Sequence, residues 1–122
     1  MPEATLLRGC GRSRVLPPPC ANPALTIHGL ALVSPDLWFD DVGLAVMVHS
    51  RQHHERGSDW ERTVQRDGQL TEHGVTVLAF TPRAIATDLE RVVATIERTY
   101  VTLSRSRRPR PDVLVTPRGL TG

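Results

Sequence analysis

The stretch Ser34-Pro35-Asp36-Leu37-Trp38-Phe39-Asp40-Asp41-Val42-Gly43-Leu44-Ala45-Val46-Met47-Val48-His49-Ser50-Arg51-Gln52-His53-His54 decides how the chain is expected to fold. Trp38, Phe39 and their neighbours make a short strand, and the acidic, Gly-containing run Asp40 to Gly43 turns the chain. Leu44 to His49 is then almost continuously apolar, the pattern of a strand buried on both faces. Strands joined by so short a turn pair antiparallel.

Working outward, Ser58 with Glu61 three residues on satisfies a capping-box pattern and predicts a helix over 59–73. Its inward stripe is Trp60, Val64, Asp67 and Leu70, and His73-Gly74 ends it. Val75 to Phe80 is a second apolar strand, so the strand, helix, strand order predicts a right-handed crossover with parallel pairing. Thr81 as N-cap and Pro82 at the first helical position open a second helix. Ile85, Leu89, Val92, Val93, Ile96, Tyr100 and Leu103 form its apolar stripe. Upstream, 25–33 is one strand, or two halves around a turn at His28-Gly29. The expected fold is α/β (α+β), a mixed central sheet of about four strands flanked by helices, over residues 25–103. Three consecutive prolines at 17–19 and Asn22-Pro23 mark 1–24 as irregular, and an Arg- and Pro-rich composition marks 104–122 as a disordered tail.

With 122 residues, 39% of them hydrophobic, the chain has material for one modest core. A net charge of +2 does not by itself demand a nucleic-acid partner. All fifteen basic residues are Arg, so chemistry that needs a Lys ammonium is excluded. Cys10 and Cys20 form no disulfide framework and match no paired zinc motif, so no structural zinc is expected. Neither a leader's apolar region nor a transmembrane run is visible, and the plain expectation is a cytoplasmic protein without a membrane partner.

The order strand, Pro35-Asp36, turn, buried strand ending in a polar cluster, helix with Arg66-Asp67, Gly74, strand resembles the restriction-endonuclease-like PD-(D/E)xK superfamily. Over residues 22–103 it is most similar to the very-short-patch-repair endonucleases and related short bacterial domains. The resemblance implies a metal-dependent endodeoxyribonuclease acting on DNA with Mg²⁺, which activates water and steadies the phosphodiester transition state. Asp36 matches the superfamily's first metal-binding Asp. Its second acidic group and Lys fall near Met47 and His49, and Met47 supplies no carboxylate for a hard ion. In the very-short-patch-repair branch His stands at the positions of His49 and His54. There the metal is held by the first Asp and a backbone carbonyl, which here belongs to Val48. The resemblance therefore implies Asp36, His49 and His54 as catalytic residues, with His49 as base and Asp36 and Val48 as metal ligands. The branch's N-terminal acidic helix and its zinc-binding cysteines have no counterpart in this reading.

Asp67, on an inward helix face, needs a partner because an unpaired buried carboxylate is costly. Arg51, Arg62, Arg66 and His49 are the candidates, and Asp67 and Arg66 are expected to support the site from behind. Arg51, Arg105, Arg107 and Arg108 are expected to contact DNA phosphates. The alternative is an inactive remnant of the same fold serving as a DNA- or protein-binding module, or as the rear part of a helix-turn-helix regulator or antitoxin-like protein.

Overall fold

In this computed structural model, which describes residues 2–49 and 57–116, the part of the quoted stretch up to His49 lies at the centre of a mixed four-stranded sheet. Its strands in spatial order are β1 (Cys20–Ala21), β4 (Leu37–Phe39), β5 (Leu44–Val48) and β6 (Thr76–Phe80). β4 runs antiparallel to both β1 and β5, and Leu37, Trp38 and Phe39 lie opposite Val46, Ala45 and Leu44. β5 and β6 are parallel, from Leu44 beside Thr76 to Val48 beside Phe80, with helix α2 (Gly57–Glu72) as the crossover. A second sheet takes β3 (Leu30–Leu32), β2 (Ala24–Ile27) and β7 (Leu114–Thr116), in that order. The fold is thus mixed α/β, and His28-Gly29 is the hairpin turn between β2 and β3, both residues with positive φ.

Strand alternation assigns each side chain of the central sheet to one of two cores. Leu37, Phe39, Leu44 and Val46 pack with Leu6 and Cys10 of α1 (Pro2–Gly11), Ile85 of α3 (Pro82–Thr87), and Val92 and Ile96 of α4 (Leu89–Ser104). Trp38, Ala45 and Met47 face the other way, onto Leu25, Ile27 and Leu32 of the small sheet, Leu70 of α2, Val75 and Val113. Three layers result, and the central sheet is covered on both faces. This explains why β4 is buried at every position and β5 at all but its last, Val48.

Several expectations are corrected here. The N-terminal segment is irregular only in part: 12–19 carries no helix or strand, but α1 is a helix whose Leu6 and Cys10, one turn apart, are buried. Ten residues are too few to hold a helix alone in water, so docking stabilises it. A Cβ on Gly9 would come within 3.1 Å of Val93 Cγ2 and 3.2 Å of Leu89 Cδ1, which shows how closely α1 approaches α4. Residues 104–116 are not a free tail either, since Val113 is buried and β7 pairs with β2. Arg110 donates from Nη2 to Asp40 Oδ1 at 2.6 Å and so ties this segment to the β4–β5 turn. The expected long second helix is broken at Asp88 (φ −147°, ψ 47°) into α3 and α4, and Asp favours helix boundaries over interiors. Thr81 caps α3 as expected, its Oγ1 accepting from the Ala84 N–H at 3.1 Å. α2 already includes Gly57, and its Val64 is 52% exposed instead of inward. Gly74, with φ of +86°, ends the α2 turn as the sequence predicts. Among the described residues no helix is long and apolar enough to cross a membrane.

Candidate functional site

The site lies where β5 ends. Asp36 stands just before β4, and its Oδ2 accepts the Val48 N–H at 2.7 Å. That bond replaces a ladder contact. Extending the β4–β5 register from Leu37 opposite Val46 places Pro35 opposite Val48. The His49 N–H turns toward β6, donating to the Phe80 carbonyl at 2.9 Å, so the N–H and C=O of Val48 both face the β4 side. Pro35 has no N–H to give. The Val48 carbonyl is therefore left without its ladder donor, beside the Asp36 carboxylate.

His49 follows on the face of α2. Its Nε2 lies 2.8 Å from Asp67 Oδ2, with side-chain exposures of 19% and 22%. A carboxylate only accepts, so Nε2 carries the proton of this bond and Nδ1 is the nitrogen free to take one. Asp67 Oδ1 is buried without a hydrogen-bond partner among the described residues. Of the partners proposed for Asp67 that lie among the described residues, His49 is the one that pairs with it. Arg66 does not join this pair: it is exposed and forms no salt bridge among the described residues.

Glu3, in the first turn of α1, lies on the same cavity as Asp36 and was not identified from sequence. Together with Ala4, Leu7, Ala21, Asn22, Asp36 and Leu37 it lines a cavity of about 470 Å³. Burial is the main cause that holds the Asp36 carboxyl above the usual carboxylate range. The Val48 N–H and His49 act against this, and the Glu3 carboxylate adds to it. Asp36 thus lies within the electrostatic reach of both Glu3 on one side of the sheet and His49 on the other. The sequence signal for Glu3 was an acidic residue in the first turn of a helix, hidden because 1–24 read as irregular.

These donors suit a hard divalent cation. Asp36, Glu3 and the Val48 carbonyl would each offer an oxygen donor, and Mg²⁺ commonly takes one or two carboxylates and fills its shell with water and phosphate oxygens. No group of three or more His, Cys, Asp or Glu able to hold a metal occurs among the described residues, so most of such a shell would come from water and substrate. Met47 is not a lost ligand, since it is 5% exposed and points into the core shared with the small sheet. Burial, helped by Glu97, pushes the Cys10 thiol up to about 11, so it stays protonated and offers no thiolate.

Arg51 and His54 lie outside the described residues. Arg105, Arg107 and Arg108 are exposed at and beyond the end of α4. Tyr100 donates its hydroxyl to Asp41, which places that end of α4 at the β4–β5 turn, opposite the site. No protein-family model, curated protein or solved structure matches the chain.

Proposed function

We propose that the chain is a DNA endonuclease of the very-short-patch-repair type, hydrolysing phosphodiesters with Mg²⁺. The observation that carries this reading is that Asp36 and the His49–Asp67 pair both stand at one end of β5, on either side of Val48, whose carbonyl has no ladder donor among the described residues. In this reading Asp36, the Val48 carbonyl and Glu3 hold the cation, which when bound supplies Lewis-acid stabilisation of the phosphoryl oxygens. His49 Nδ1 accepts the proton of the attacking water. Asp67 holds the ring in the tautomer that leaves Nδ1 free and stabilises the imidazolium that forms. The α1 helix supports the proposal as well, because it puts an acidic residue where the sequence alone had none.

A partly buried carboxylate with one orphaned oxygen is a cost that a purely structural site has little reason to keep. This favours a working centre over an inactive binding module. Incubation of supercoiled plasmid with the protein and Mg²⁺ or Mn²⁺ is expected to yield nicked circles, and Asp36→Ala is expected to abolish them. Equal nicking by both proteins would sink the assignment. Calorimetric titration with Mn²⁺ separates the alternative, since a dead site shows no divalent binding that depends on Asp36.

A further inference from the structure

Arg91 and Arg98 on the outward face of α4, and Arg105 at its C-cap, are spaced by seven residues and all exposed. Seven residues are two helical turns, so the three stand in one row of about 21 Å. The row faces away from Val92 and Ile96, which are buried in the core. None of the three forms a salt bridge among the described residues. The sequence shows why: the positions four residues either side of Arg91 and Arg98 are Thr87, Thr95, Ala94 and Thr102, and Val101 precedes Arg105 by four. A solvated helix usually pairs its charges at this spacing. Asp88, three residues before Arg91, is the one carboxylate at a pairing position; Arg98 and Arg105 have none three or four residues away on the helix. Glu97, on the flank of α4, accepts from Ser13 Oγ at 2.6 Å, toward the α1 side. Asp88 and Glu90 are the acidic groups near the first arginine, at the start of the helix.

The row also has a direction. α3 leaves β6 just beyond Phe80, whose carbonyl holds the His49 N–H, and α4 follows at once. Tyr100 and Leu103 then reach the β4–β5 turn, through Asp41 and Val42. The arginines therefore start at the end of the sheet that carries the candidate site and run the length of the molecule, continuing into Arg107 and Arg108.

We propose that this row is a docking surface for the sugar-phosphate backbone of duplex DNA, with Arg91, Arg98 and Arg105 each contacting a phosphate. The inference rests on the DNA-directed reading above and extends it from the reacting phosphodiester to the flanking duplex. Such contacts carry no base information, and they make affinity fall with salt.

The test is the salt dependence of binding of a fluorescent, non-cleavable duplex to the full chain in Ca²⁺ buffer. Arg91→Gln/Arg98→Gln/Arg105→Gln is expected to lower the slope of log K against log salt by about 2.7, at about 0.9 per phosphate contact. A control that removes the same charge elsewhere, Arg12→Gln/Arg14→Gln/Arg62→Gln, is expected to keep the wild-type slope within about 1. Circular dichroism of both triple variants establishes that they fold. An unchanged slope in the α4 variant, or equal losses in both variants, overturns the docking surface. If the wild-type chain nicks plasmid in an Asp36-dependent way while the α4 variant keeps its slope, only the surface fails. If wild-type protein neither binds duplex nor nicks it, both readings fail.

Discussion

Asp36 trades stability for availability. Its carboxyl is held above the usual carboxylate range first by burial and then by Glu3, against the Val48 N–H and His49. A raised folded-state value means that the protonated form suits the fold. Its stabilising contribution is fully present below the ordinary Asp value of about 3.9 and is lost as pH rises through the raised value. Asp36→Asn, which keeps an acceptor for the Val48 N–H, is therefore expected to melt above wild type at pH 7. The difference should close below about pH 4. Thermal unfolding across that range checks it, and the same variant should have lost nicking. His49→Ala is expected to slow nicking by about 10²–10⁴-fold, the usual share of a general base. At this scale much was legible. A Pro-Asp before a strand, a His at a strand end and an Asp on an inward helix stripe each pointed to their residue. What stayed hidden was which partner Asp67 would choose, because that depends on how α2 lies across β5.

Elements too short to be stable alone were the ones that escaped the sequence. The two-residue β1, the ten-residue α1 and the three-residue β7 exist because something larger receives them. Hydrophobic periodicity, which located β5, β6 and α4, has too few residues to register in such pieces. α1 illustrates the consequence, since Glu3 reaches the site only while Gly9 lets the helix lie close on Leu89 and Val93. Gly9→Leu is expected to weaken Asp36-dependent Mn²⁺ binding by at least about tenfold, or about 1.4 kcal/mol, as the helix is pushed away. Calorimetry reads that loss directly. The β4–β5 turn has a parallel constraint. Gly43 has φ of +67°, and a Cβ there would meet the Pro111 ring at 2.6 Å. Gly43→Ala is expected to destabilise by about 1–3 kcal/mol in a urea titration, through the left-handed backbone and the displaced proline together.

At the scale of the whole molecule, one tryptophan bridges the two sheets. Trp38 is fully buried between Ala45 and Met47 of its own sheet side and the Leu25, Ile27 and Leu32 of the other, with its Nε1–H donated to Asp40 Oδ1 at 3.0 Å. Trp38→Ala is expected to cost about 3–5 kcal/mol, a large part of the 5–15 kcal/mol typical of a domain. Loss of cooperative melting is the observable. The mixed central sheet was legible because antiparallel turn and parallel crossover follow from connection length alone. In the second sheet the β2–β3 hairpin was legible as two halves around His28-Gly29, but β7 was not, because it joins β2 from a strand near the far end of the described chain.

That distance sets an order in time. About ninety residues separate Leu25 from Val115, so joining β7 to β2 means closing a very long loop for three pairs of residues. Local structure and the β5–α2–β6 crossover form at lower entropic cost, and β7 is expected to seat last. In stopped-flow experiments Val113→Ala should then speed unfolding while leaving the refolding rate nearly unchanged. The Arg110 contact to Asp40 is expected to form at the same late stage, a latch that closes a nearly finished body.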